Sequence, residues 1–166
     1  HPANLPEQAR ARLYRLNLLK ADHWIIDGLT IDGGPGRAPN IVRGASHNIF
    51  QRLLIERGDQ ALLWFSMYDP EGIPSEYNVV QRSVLRNADI SSGDDICIGA
   101  RADSSGAGIA MRGNVFVDNE IYDCTQSIQL VCCTGSTEND GPFPGTIIDN
   151  NDLYVSPARY CDGNGN

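Results

Sequence analysis

Four aspartates crowd one stretch of the chain, Asp89, Asp94, Asp95 and Asp103, with Arg101 and Arg112 close by. Clustered carboxylates repel one another unless they share a proton or a cation. Two chemistries use such a set: ligation of Ca2+ through hard oxygens, and general acid–base work by paired acids. The competing reading is structural, because Gly93-Asp94-Asp95 also suits a tight turn between strands. His23 and His47 are a second point of interest, as are Trp24, Trp64, Tyr68, Tyr77, Tyr122 and Tyr154, whose rings could pack on a sugar. The terminal Asp162-Gly163-Asn164-Gly165-Asn166 has the form of half a calcium loop without its closing Glu.

What must position these residues is a repeat. Five segments align without gaps: WIIDGLTI (24–31), NIFQRLLI (48–55), NVVQRSVL (78–85), NVFVDNEI (114–121) and TIIDNNDL (146–153). Their second, third and eighth positions are large and apolar in every copy, and the steps between copies are 24, 30, 36 and 32 residues. Each segment is too short and too β-branched for a helical repeat, and turn residues flank them, as at Asp32-Gly33-Gly34 and Gly113-Asn114. Further short strands are expected at 40–43, 61–65, 95–99 and 127–131, and others at 108–111 and 13–18. The stretch before the first repeat also has a composition that a capping helix would tolerate.

Two or three short strands per repeat, separated by turns, describe a right-handed parallel β-helix of about four to five coils. One coil cannot bury its inward residues, whereas coils stacked about 4.8 Å apart share one continuous core. The aligned apolar positions are expected to be its columns. Asn48, Asn78 and Asn114 at the first position, and Asn119 and Asn151 at the sixth, are expected to stack as hydrogen-bonded ladders.

The same alignment brings further groups together. Arg82 and Asp118 share the fifth position on successive coils, and Glu120 and Asp152 share the seventh. The second pair invites a bridging cation, such as Ca2+; a solvated charged face is the alternative. His23 and His47 stand at one repeat position and should stack. Tyr68 lies in a long connection between coils, where binding-site walls are often built.

Composition sets limits on partners. Net charge is −8 and Lys20 is the single lysine. This argues against a nucleic-acid surface, and against a polyanion unless a cation bridges or a local Arg cluster overrides the mean field. No apolar run approaches the roughly 18 residues a membrane helix needs. The spacing of Cys97, Cys124, Cys132, Cys133 and Cys161 fits no zinc pattern and leaves buried thiols or disulfides open. The chain reads as one domain over 1–166. Its opening HPANLPEQ and its glycine-rich end suggest a piece of a longer solenoid. Oligomeric state is not legible.

The phrases HWIIDGLTIDGG, NVVQRSVLRNADISSGDD and RGNVFVDNEIYDC resemble coil repeats of the pectate lyase-like superfamily of parallel β-helices. Gly93-Asp94-Asp95-Ile96-Cys97-Ile98 is similar to a polygalacturonase segment, with Ile96 intruding before the Cys and the family's other motifs absent. The resemblance implies a secreted or cell-surface protein that cleaves a uronic-acid-containing polysaccharide by lyase or hydrolase chemistry. On that reading Asp94, Asp95 and Arg101 are catalytic, with the arginine abstracting a proton. Arg82, Arg112, Asp118 and Tyr68 bind substrate, and Asp94, Asp95, Glu120 and Asp152 hold Ca2+. A non-catalytic glycan-binding module or adhesin is the alternative.

Overall fold

The computed structural model describes residues 11–34, 40–58, 60–68, 71–88, 96–102, 110–132 and 143–155. Among them every regular element is a β-strand. The first coil contributes β1 (Arg12–Leu13), β2 (Asn17–Leu19) and β3 (Ile25–Asp27). The second contributes β4 (Thr30–Asp32), β5 (Asn40–Arg43) and β6 (Ile49–Gln51). Next come β7 (Leu54–Glu56), β8 (Ala61–Ser66) and β9 (Val79–Gln81), then β10 (Val84–Arg86), β11 (Ile96–Ala102) and β12 (Val115–Val117). The fifth coil holds β13 (Glu120–Tyr122), β14 (Gln126–Cys132) and β15 (Ile147–Asp149), and β16 (Asp152–Tyr154) follows it.

Strands one coil apart pair in parallel and build three sheets. Sheet A runs β1-β4-β7-β10-β13-β16, sheet B runs β2-β5-β8-β11-β14, and sheet C runs β3-β6-β9-β12-β15. The result is a right-handed parallel β-helix of about five coils. The five-segment alignment is the hydrogen-bonded register. Ile25, Ile49, Val79, Val115 and Ile147 pair in succession on sheet C, and Thr30, Leu54, Val84, Glu120 and Asp152 do so on sheet A.

One expectation needs correction. Each eight-residue segment is not a single strip but two three-residue strands on different sheets, joined at a corner. Successive residues of a strand face opposite sides, so the second and third positions cannot both point inward. The third does: Phe50, Val80 and Phe116 are fully buried, and so are Ile31, Ile55, Leu85 and Ile121 at the eighth. The second position faces outward instead: Ile25 and Ile147 are 64% and 52% exposed, and Ile49, Val79 and Val115 between them are partly buried. The inward columns are completed from sheet B by Val42, Leu63, Phe65, Ile98 and Ala100.

The corner between sheets C and A is made by the fifth position. Gly28, Arg52, Arg82, Asp118 and Asn150 all have positive φ, between 50 and 69°. A left-handed residue turns the chain in the space of two residues, and no β-branched residue occurs in the column. The corner between sheets B and C repeats the device with His23, His47, Tyr77, Gly113 and Gly145.

Asparagine ladders line these corners as expected. Asn48, Asn78 and Asn114 are buried and bonded in series, Asn48 Nδ2 to Asn78 Oδ1 at 3.0 Å and Asn78 Nδ2 to Asn114 Oδ1 at 3.2 Å. Ser83, Asn119 and Asn151 form the second. The expected strands at 40–43, 61–65, 95–99 and 127–131 correspond to β5, β8, β11 and β14. The stretch 13–18 divides between β1 and β2 with no helix. Of 108–111, the first two residues lie outside the described set, and Ala110 and Met111 are buried without strand structure.

Candidate functional site

The solenoid separates most of the candidate residues. Arg82 and Asp118 sit on the corner between sheets C and A, 3.9 Å apart, joined on Asp118 by Asn150. Asp27, the residue just before this corner on β3, accepts hydrogen bonds from Arg52 that hold its carboxyl below its ordinary range. These contacts tie neighbouring coils together at the corner. Arg112 lies in the connection from sheet B to sheet C and pairs with Glu76 at 3.4 Å. Tyr68 lies in the same connection one coil earlier; Lys20 Nζ stands 4.4 Å from its ring centroid and also pairs with Glu71. Its backbone bonds to Ile73, and it packs against Gly44, so it serves to fold its loop onto the coil below.

Glu120 and Asp152 are neighbours in register on sheet A. Glu120 accepts a hydrogen bond from the Tyr154 hydroxyl, whose ring stacks on Tyr122 at 4.8 Å. The Glu120 carboxylate beside it raises the Tyr154 pKa well above the usual phenol range. Calcium takes six or more oxygens. Among the described residues no set of three acidic, His or Cys side chains is arranged to hold a metal. Glu120 and Asp152 supply two carboxylates to this face. Asp89, Asp94, Asp95, Asp103 and the 162–166 segment lie outside the described residues.

Further along the same face, Asp32 is nearly buried. Burial opposes its ionisation, but hydrogen bonds from Arg57 and Arg12 outweigh that and hold its carboxyl below the ordinary range. Arg86 bridges Glu56 and the Tyr122 hydroxyl at 3.0 and 3.1 Å. These groups tie coil to coil. The two histidines do stack, with centroids 5.0 Å apart, and Tyr77 continues the column at 5.1 Å.

The arrangement best suited to a ligand is on the outer face of sheet B. A groove of about 470 Å³ is lined by Ile41, Arg43, Gln60, Ala61, Trp64, Ile96, Arg101 and Gln129. Its geometry follows from register. Ile41, Trp64, Gly99 and Gln129 form one column across β5, β8, β11 and β14, and Arg43, Ser66, Arg101 and Val131 form a parallel one. Side chains of both columns point outward, since the intervening Val42, Phe65 and Ala100 are buried in the core. Arg43 and Arg101 thus stand two coils apart, about 10 Å, on one straight line. Arg43 Nε donates to the Ser66 hydroxyl between them at 3.2 Å. The groove holds two guanidinium groups, two amides and an indole among its described lining residues.

Arg101 was reached from sequence; Arg43 was not, although its strand was. The pairing register of sheet B places both in one outward column. Beneath the groove Cys97 and Cys124 form a disulfide with Cα atoms 5.8 Å apart, joining consecutive coils. No protein-family model matches the chain, nor does any curated protein or solved structure.

Proposed function

We propose that the chain binds an acidic polysaccharide along the outer face of sheet B. The observation that carries this is the line Arg43-Ser66-Arg101 beside Trp64 on a protein of net charge −8. Two cations on one rigid sheet, about 10 Å apart, suit carboxylates spaced along an extended polymer. Gln60 and Gln129 offer donors and acceptors that match hydroxyl groups. A secreted or cell-surface location accords with the Cys97–Cys124 disulfide, since such bonds persist in oxidising compartments.

Cleavage of the bound glycan is a second reading, favoured by one adjacency. Asp94 and Asp95 immediately precede Ile96, a groove-wall residue. In a lyase, a cation held by those aspartates would neutralise a uronate carboxyl and an arginine would take the proton; in a hydrolase the aspartates would act on the glycosidic bond. Arg101 stands five residues along β11 from Ile96, about 17 Å.

The test is binding to uronic-acid polymers and to the same polymers with their carboxyls reduced. Arg43→Ala and Arg101→Ala should each weaken binding of the acidic form by about tenfold or more, as loss of a charge-assisted hydrogen bond does. The reduced polymers should bind weakly and show no dependence on either arginine. Equal binding of both forms by all variants would defeat the proposal. Assay of the same mixtures for unsaturated product and new reducing ends, with Asp94→Ala and Asp95→Ala, decides whether cleavage accompanies binding.

A further inference from the structure

Trp64 occupies the middle of the groove because the residue below it has no side chain. In the register of sheet B its partner on the next coil is Gly99. A Cβ built on Gly99 would lie 2.1 Å from Cε3 and 2.3 Å from Cζ3 of the Trp64 ring. The ring therefore leans across onto the coil beneath, in space that any other residue at 99 would fill. Gly99 has no positive φ, so no backbone conformation demands glycine there. Its described distinction is the room it leaves for the indole. Flanking residues of β8 are fully buried, Leu63 and Phe65 among them, while Trp64 is half-buried and lines the groove between the two arginines.

We infer that Trp64 is the surface on which a sugar ring of the glycan packs, and that Gly99 is the positioning residue that seats it. This rests on the acidic-polysaccharide reading and adds to it a substrate feature: a pyranose with an apolar C–H face, next to the carboxylates that the arginines take. An indole gives a large rigid apolar surface at small entropic cost, with a polar N–H at its edge. A single-stranded nucleic acid also stacks on aromatic rings, but its affinity comes from many neutralised phosphates. Two arginines on a strongly acidic chain are too few, and the Gln60 and Gln129 amides suit hydroxyl groups better.

The chain has two tryptophans, so Trp24→Phe leaves Trp64 as its sole fluorescent reporter. In that background a soluble acidic oligosaccharide should change the emission, saturating at the concentration that calorimetry gives for binding. Trp64→Ala should weaken binding about tenfold. Gly99→Ala should shift the emission without ligand, because the colliding atoms are the far end of a side chain that can swing away, and should weaken binding similarly while the unfolding midpoint stays near the parent's. Arg43→Ala serves as the contrast: weakened binding with the ligand-free emission unchanged. If the oligosaccharide does not bind the parent protein, the polysaccharide reading falls and this one with it. If it binds in an arginine-dependent way, yet Trp64 emission is silent and Trp64→Ala binds normally, only the present inference falls. Tighter binding of a single-stranded oligonucleotide than of the oligosaccharide would overturn both. Should Gly99→Ala not fold, Trp64→Ala and the emission titration carry the test.

Discussion

At the scale of the residue, Asn78 shows how one side chain holds three coils. Its Nδ2 donates to the Ala45 carbonyl at 2.9 Å and to Asn114 Oδ1, while its own Oδ1 accepts from the backbone and side chain of Asn48 at 3.1 and 3.0 Å. It is fully buried. Replacement by alanine leaves the Ala45 carbonyl and the Asn48 amide without partners in a dry corner, each costing about 1–3 kcal/mol. Asn78→Ala should therefore lower the free energy of unfolding by about 3 kcal/mol or more in urea titrations, and a loss under about 1 kcal/mol would contradict this account. The ladder was legible because identical residues recur at one aligned position. The partners of Asp32, Arg57 and Arg12, were not, since they come from outside the aligned positions and meet only through stacking.

The eight-residue segment is the informative element. Its apolar positions announced the repeat, but its bend was legible too and went unread. Two adjacent apolar residues in a strand cannot share a face. The fifth position carries Gly, Arg, Arg, Asp and Asn, which tolerate a left-handed backbone better than β-branched residues do. Arg82 tests this. Its ion pair with Asp118 is exposed and 3.9 Å long, and pairs of that kind contribute little. Arg82→Val, which places a β-branched residue at φ 50°, should cost about 1–2 kcal/mol, whereas Arg82→Asn should stay within about 0.5 kcal/mol of the parent. Thermal unfolding of the two variants separates the backbone effect from the charge. The converse lesson comes from sheet C, where the second-position column from Ile25 to Ile147 is apolar yet turned to solvent. Its β-branched residues fit a pleated sheet whichever side they face.

Across the whole molecule, each coil contacts its neighbours along three ladders, so stability spreads through the stack. Ile148 and Leu153 belong to inward columns that are otherwise buried, but on the last described coil they are 46% and 51% exposed. The Cys97–Cys124 bond is a covalent tie between coils and closes a loop of 27 residues. By the chain-entropy relation it contributes about 3–4 kcal/mol. The Cys97→Ser, Cys124→Ser double variant should unfold at correspondingly lower denaturant under oxidising conditions and match the parent when both are reduced. A variant as stable as the oxidised parent would show that the bond carries no weight in the stack.

From its order of residues alone the chain declared a repeat, its register, its asparagine ladders and the parallel β-helix, because each of those depends on side chains that recur at fixed intervals. The groove on sheet B was decided only in three dimensions. Arg43, Trp64, Gly99 and Arg101 come from three coils separated by insertions of different length, and no spacing in the linear sequence records that they share two outward columns. Stacking removes the insertions from the geometry and leaves the register, and the register is what sets two cations and an indole on one face.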